Sequence, residues 1–425
     1  MTTLIVGAGW SGLAAAVKLI QQGEDVILFE SAKQIGGRAR NVQWQSQFVD
    51  NGQHLLIGGY VRTLALLKKL GAEESALFKR YPLNISIFDK HFPPLHFVDA
   101  GNRLPWPLSL LLSLWKHNGF DVVKELSQLV LSAKRQCSKP DRSVLDWLHQ
   151  QKQSPRLITQ LWEPLCLAML NTPIKSASTH VFAHVLLETF KNKHQGDFLI
   201  PTVPLGDTLP VFAERYIKQH YSDIKTQTRV AEIIIENDRV KGLVTQHGDT
   251  YLSNKIILAG SPQTNYTLLA NKVTLIEPAS YPIVTVYLQC KNTLSLKVPM
   301  LGLSSHISQW VFDRGDGLLA VVISGPGRHE SFSNSLLIEK VIEELSNIQL
   351  LSKADVIKHL VIREKRATFR CDVNIQQRRP ESETAIKGLV LAGDMVANPY
   401  PATLEGAVIN GEKAAELIMQ INRVS

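Results

Sequence analysis

The sequence predicts an α/β fold, a domain built on a parallel sheet with an α+β domain inserted into it. Three observations predict it. A short β-branched, apolar run at 4–6 leads straight into a glycine-rich turn and a helical stretch. Near the other end a second apolar run, 388–394, closes in Gly-Asp ahead of another helical stretch. Between them a strand pair at 228–246 precedes a third apolar run at 255–260. Strands buried on both faces of a parallel sheet read as such continuous apolar runs.

The first element is the most informative. Leu4-Ile5-Val6 runs into Gly7-Ala8-Gly9-Trp10-Ser11-Gly12, a GxGxxG. A helical stretch follows to Gln22, Gly23 is suited to close it, and a second strand, Asp25 to Phe29, ends in Glu30. In this Rossmann-like unit Gly7 makes the tight turn, Gly9 lets the backbone approach a pyrophosphate, and Gly12 lets the helix pack on the strand. With Ser11 they form the expected pyrophosphate cradle, at the positive end of the helix dipole. Glu30 is placed to accept hydrogen bonds from ribose hydroxyls and would repel a 2′-phosphate, which disfavours NADP. Trp10 reads as packing. The unit alone leaves NAD and FAD both open.

Ile35-Gly36-Gly37-Arg38 follows closely. The pattern of Glu30 followed by Gly-Gly-Arg resembles the FAD superfamily of amine oxidases, protoporphyrinogen oxidase and carotenoid desaturases. The resemblance implies that Gly37 and Arg38 lie along the pyrophosphate and ribityl chain, and the planar Arg38 guanidinium suits a phosphate. It also implies that the backbone of Val230 contacts adenine and that Asp394 bonds the ribityl or pyrophosphate region. Thr403 and Leu404, opening the last helix, would then point at the flavin N1/O2 edge. Gly406 and Gly411 are expected to bring backbone close to the cofactor. The implied organisation is an FAD-binding domain of 1–75, 205–265 and 385–425. The substrate domain comprises 76–204, mainly helical and lipid-facing, and 266–384, a β-sheet with helices.

A further set of motifs narrows the family. Leu161 to Pro173 (LWEPLCLAMLNTP), together with Asp50 to Leu56 (DNGQHLL), Asp141 to Val144 and Gly206 to Pro210, resembles the squalene-associated FAD-dependent desaturases, also described as hydroxysqualene dehydroxylases. The resemblance runs essentially from end to end. It implies reductive dehydroxylation of hydroxysqualene to squalene in hopanoid or other C30 terpenoid synthesis, with hydride from reduced flavin meeting an allylic cation. Such chemistry needs a proton donor. Glu163, in an apolar stretch, is one candidate, although it could equally cap or ion-pair a helix. Asp50 and His54 are placed to face the ring, although Asp50 could equally brace the Asn51-Gly52 turn. The competing readings are a carotenoid-type desaturase, another flavin oxidase of an apolar substrate, or a non-catalytic flavin-containing lipid-binding protein. No second nucleotide fold is present to hold a reductant, so the electron donor is left open.

Composition bounds the partners. The 425 residues are 44% hydrophobic and 20% charged, with a formal charge of +8 and no basic arm or run, so a nucleic-acid partner is not expected. A mildly cationic protein touching an anionic lipid surface is consistent with that charge. The segment Leu104 to Trp115 is apolar but too short to cross a bilayer, and it is expected to dip into a surface or line a substrate site. The four cysteines show no CxxC pair and no His at metal spacing, which suggests reduced thiols in a cytoplasmic protein and no metal, while the charge and the apolar segment suggest a place peripheral to the inner face of the membrane.

Overall fold

The computed structural model describes residues 2–98, 106–269, 272–273, 275–277, 279–291, 294, 296 and 298–420. Its organising layer is a five-stranded parallel sheet in the spatial order Asp223–Lys225, Val26–Phe29, Thr3–Val6, Ile256–Leu258, Leu389–Leu391. Period-two alternation divides these strands between two cores. Ile5, Leu28, Ile257 and Val390 face the helices Trp10–Ile20 and Leu404–Gln420. Leu4, Val6, Phe29, Leu258 and Leu391 face a three-stranded antiparallel sheet formed by Val230–Glu236, Arg239–Thr245 and Thr250–Leu252. Asn237 and Asp238, both with positive φ, make the tight turn of its first hairpin.

Gly23 ends the first helix as its sequence position implies. With φ +79° it donates to the Ile20 carbonyl, while Glu24 N–H reaches Leu19, the paired bonds of a Schellman ending.

The remaining chain builds a seven-stranded sheet roofed by helices. Its order is Val356–Phe369, Ser280–Cys290, Leu318–Ser324, Trp310–Asp313, Met300–Leu303, Asn84–Phe88, Leu95–Val98. The last two strands come from the first insert, so both inserts share one sheet. Helices Trp106–Asn118, Phe120–Gln136, Glu163–Leu170 and Thr179–Thr189 cover it, and a single apolar core runs between helices and sheet. The expected apolar segment at 104–115 is a helix from Trp106; Leu104 and Pro105 lie outside the described residues.

Candidate functional site

One cavity of about 1510 Å³ runs from the glycine turn to the helical roof. That exceeds the ~300–1,000 Å³ of an ordinary small-molecule site and leaves room for a dinucleotide beside a second large ligand.

At the first end the glycine turn is dictated by crowding. A Cβ on Gly7, whose φ is +102°, would lie 2.6 Å from the Ala259 carbonyl oxygen, and one on Gly12 would lie 1.9 Å from that of Gly7. Gly9 is different: its nearest neighbour would be Gly37 Cα at 3.9 Å, so its missing side chain leaves open space beside the helix N-terminus. No side chain caps that helix and no acid occupies its first turn, so its first N–H groups are available to an anion. Ser11 Oγ and Trp10 Nε1 are both buried without a hydrogen-bond partner among the described residues, and both residues line the cavity. The donor set, a first helical turn without an acid and the open floor at Gly9 fit the diphosphate of FAD.

The adjoining wall holds Glu30, Gly37, Arg38, Val230 and Asp394, all lining the cavity. Glu30 accepts from Ala8 N–H at 2.9 Å and Ala32 N–H at 2.8 Å, which locks its carboxylate beside the glycine turn. A carboxylate has about four lone-pair directions, so acceptor capacity for ribose hydroxyls is left over. Arg38 Nη2 lies 2.7 Å from Asp394 Oδ1, and its Nη1 donates to the Ala367 carbonyl at 2.7 Å. Burial alone would lower the Arg38 pKa, but the charge and hydrogen bond of Asp394 outweigh it and the group stays cationic.

Thr403 and Leu404 line the cavity at the start of the closing helix, where Thr403 Oγ accepts from Gly406 N–H at 3.1 Å. Gly406 and Gly411, expected to bring backbone close to the cofactor, are not themselves part of the cavity wall, although Thr403, Leu404 and Ala407 beside Gly406 are. A Cβ on Gly411 would lie 2.2 Å from Ser11 O, so this glycine lets the two dipole-bearing helices cross closely. Glu405 is fully buried and accepts from Arg62 N–H and Thr63 N–H, capping the helix Val61–Lys69.

A residue that sequence patterning did not single out organises this corner. Arg379 is 5% exposed and donates to the carbonyls of Asp394, Met395, Val396, Asn398 and Tyr400. The loop that presents Asp394 and leads to Thr403 is thus wrapped around one guanidinium. Burial pulls its pKa down to about 10, so it remains charged at neutral pH. Nothing in the run Gln-Gln-Arg-Arg-Pro distinguishes it from a solvated arginine.

The far half of the cavity is apolar, lined by Leu83, Phe97, Leu161, Trp162, Trp310 and Phe312 among others. The three catalytic candidates fare differently. Glu163 keeps part of its expected character, since partial burial raises its carboxyl pKa, but it is corrected in place: its side chain is largely exposed and does not line the cavity. A π-turn over Ile158–Trp162 sets the register of the following helix, so that Leu161, Trp162, Leu165 and Met169 face inward while Glu163 opens the helix on its outer side. Asp50 is also corrected. It is 3% exposed, but its Oδ1 accepts from Leu205 N–H at 2.6 Å, its Oδ2 lies 3.9 Å from Arg314, and it does not line the cavity. It ties distant segments together instead of facing a ligand. Burial pushes its carboxyl pKa up, partly offset by His54, the Leu205 N–H and Arg314.

His54 does line the cavity. Its Nδ1 is 2.6 Å from the Gly52 carbonyl, which can only accept, so Nδ1 carries the proton. Burial depresses its pKa, Asp50 opposing in part, so the ring is neutral and Nε2 is left as an acceptor. Tyr60, Glu188 and Tyr400 line the cavity as well and were not singled out by their sequence context.

The fold and this cradle define a dinucleotide-binding flavoprotein. The model of the flavin containing amine oxidoreductases matches residues 10–419, and the chain belongs to that family. It is a flavin-dependent oxidoreductase whose cofactor is FAD. Among curated relatives, it is 27% identical to the hydroxysqualene dehydroxylase of Zymomonas mobilis, over 98% of this chain and 99% of that one. The hydroxysqualene dehydroxylase of Rhodopseudomonas palustris is 27% identical over 99% of each chain. A 15-cis-phytoene desaturase of an Oncidium hybrid cultivar is 24% identical over 99% of this chain and 78% of that one. Among solved structures, cyclohexylamine oxidase from Brevibacterium oxydans superposes with a TM-score of 0.72 over 99% of both chains at 16% identity, a likeness of fold alone.

Proposed function

We propose that this chain removes the allylic hydroxyl of hydroxysqualene by reductive dehydroxylation, giving squalene for hopanoid or related C30 terpenoid synthesis. The observation that carries the reading is the long apolar compartment continuous with the cofactor cradle, in a chain alike over its full length to two hydroxysqualene dehydroxylases. A C30 hydrocarbon chain offers almost no polar handle, so its binding must come from apolar area at roughly 25 cal/mol per Å². Bound FAD in its reduced form supplies a hydride. The residues of the chain do the rest. Gly7, Gly9, Ser11 and Gly12 with the helix N-terminus hold the diphosphate, Glu30 the ribose, Val230 the adenine, and Gly37, Arg38 and Asp394 the span towards the ring. The opening turn at Thr403 and Leu404 favours negative charge on the ring. Leu161, Trp162, Trp310 and Phe312 exclude water, and aromatic faces stabilise positive charge as the C–O bond ionises.

The same reading has the substrate arriving from a lipid surface. Leu108, Leu111, Leu112 and Trp115 on the helix Trp106–Asn118 are exposed, as are Val130 and Leu131 on the helix Phe120–Gln136. Leu111, Val130 and Leu131 also line the cavity, so its mouth opens through this apolar patch. The exposed cations Lys116, Lys124, Lys134 and Arg135 on these helices suit an anionic leaflet. Among the described residues no helix is long and apolar enough to cross a membrane. Peripheral attachment at the inner face of the cell membrane, through the patch, is the proposed arrangement.

The test is product analysis after anaerobic incubation of the photoreduced protein with hydroxysqualene. Squalene and reoxidised flavin in equal amounts are expected. The second reading, a desaturase that removes hydride, is favoured by the likeness to phytoene desaturases. No squalene from the reduced protein, together with new double bonds when the oxidised protein is given a C30 polyene, would establish it instead.

A further inference from the structure

Resting on that reading, we propose that Glu188, Tyr400 and Tyr60 form the polar station that receives the substrate hydroxyl, with Glu188 relaying a proton from solvent and Tyr400 beside it in the same contact. The cavity has four carboxylates on its wall among the described residues, and three are held by backbone N–H groups or part-buried side chains. Glu30 is held by two backbone N–H groups, Asp394 by Arg38, and Glu364 by Asn51 Nδ2 and the Arg366 N–H. The fourth, Glu188, meets only Lys191 among the described residues, an exposed side chain 3.4 Å away. It stands four residues after His184 on the helix Thr179–Thr189, on the same face. The His184 ring packs edge-on against Tyr400 with centroids 4.9 Å apart, so Glu188 and Tyr400 flank one spot.

Tyr400 is fixed from behind by the bond from Arg379 to its carbonyl, and it precedes Thr403 and Leu404 by one short turn of chain. Tyr60 leads into the helix whose N–H groups Glu405 caps, which brings it to the same junction between cofactor cradle and apolar compartment. Neither phenol hydroxyl has a hydrogen-bond partner among the described residues, and both tyrosines face the cavity. Burial, with Glu188 and Glu405 nearby, raises the Tyr400 pKa to about 12, so the phenol stays protonated and can donate.

The chemistry balances. The C–O bond breaks with its electron pair going to oxygen, which takes a proton passed from solvent through Glu188 and leaves as water. The allylic carbon receives a hydride, with its two electrons, from reduced flavin. Glu188 meets solvent on the side of Lys191, the route by which the proton enters, and an external two-electron reductant restores the flavin. The phenols orient the hydroxyl before it leaves, and their ring faces sit beside the developing charge.

The test is anaerobic stopped-flow reoxidation of the photoreduced, FAD-loaded protein by hydroxysqualene, in the parent and in Glu188→Gln, Glu188→Asp, Tyr400→Phe and Tyr60→Phe. Loss of the relay should slow the step by about 10²-fold or more in Glu188→Gln, with Glu188→Asp recovering part of it. FAD content and reoxidation by ferricyanide should match the parent in every variant, which separates the role from a folding defect. Parent-like rates in both Glu188→Gln and Tyr400→Phe would overturn the assignment while leaving the dehydroxylase reading intact. A parent inert towards hydroxysqualene would overturn both.

Discussion

Arg38 and Asp394, from opposite ends of the chain, form an ion pair 2.7 Å long on the wall of the cofactor cavity. Asp394 is buried, whereas about a third of the Arg38 side chain remains in contact with solvent. The pair joins the Gly-Gly-Arg turn to the Gly-Asp turn, so the two ends of the cradle are set against each other before any ligand is considered. Replacing Asp394 by Asn should leave Arg38 without a counter-ion and raise the Kd for FAD about 10- to 100-fold, the scale of a charged hydrogen bond. Fluorescence titration of the apoprotein measures it; unchanged affinity would remove the pair from the cofactor site.

Glu30→Ala should weaken FAD binding by on the order of 1–3 kcal/mol. Two losses combine, the ribose contacts and the carboxylate that locks Ala8 and Ala32 N–H groups into the turn. Full yellow occupancy after extensive dialysis would contradict the placement of Glu30.

Arg379→Lys should behave almost as badly as Arg379→Ala. An ammonium offers a single point of donors and cannot span the carbonyls of residues 394–400 as a planar fork does. A loss of roughly 3 kcal/mol is expected for breaking such a buried network. Thermal unfolding of the holoprotein and its FAD content should fall together; a variant losing stability with its flavin fully retained would detach the loop from the cofactor.

Stability should decline as pH falls through the histidine range. Burial lowers the pKa of His54, His184 and His329, so each is neutral in the fold and takes up a proton more readily when unfolded. The stability this contributes is complete above about pH 6.5, the unfolded value, and drains away as pH drops towards the folded one. The limit is about 1.4 kcal/mol per pH unit for each histidine. His329 lies off the cavity wall and is 5% exposed, so it isolates the effect. Between pH 8 and 5 the melting temperature of His329→Gln should fall less than that of the parent. Parallel curves would show that the ring already finds solvent.

Vesicle sedimentation tests the apolar mouth. Leu111→Glu should reduce the fraction of protein that pellets with anionic vesicles, and high salt should reduce it further by screening the lysine rim. Equal partitioning of variant and parent would place the membrane contact elsewhere.

Much of the cofactor half was readable from the chain by itself. Gly7, Gly12 and Gly23 are positions where backbone contact or a positive φ forbids a side chain, and that is a local property visible as punctuation between apolar runs. Runs such as Leu4-Ile5-Val6, buried on both faces, announce a parallel sheet in the same local way. What the tertiary structure alone decided concerns direction and partnership. Glu163 sits in as apolar a neighbourhood as any acid in the sequence, yet one π-turn decides which side of the helix faces the cavity, and the carboxylate falls outside. Asp50 is deeply buried as a candidate acid should be, but its oxygens answer Leu205 and Arg314, residues far along the chain. Gly411 serves a helix crossing with Ser11, not a ligand. Arg379, Glu188 and Tyr400 gain their significance only from carbonyls, rings and cavity walls delivered by other segments. Hydrophobic periodicity and glycine spacing encode backbone geometry, which is short-ranged; the aim of a buried polar side chain depends on what the folded chain brings opposite it.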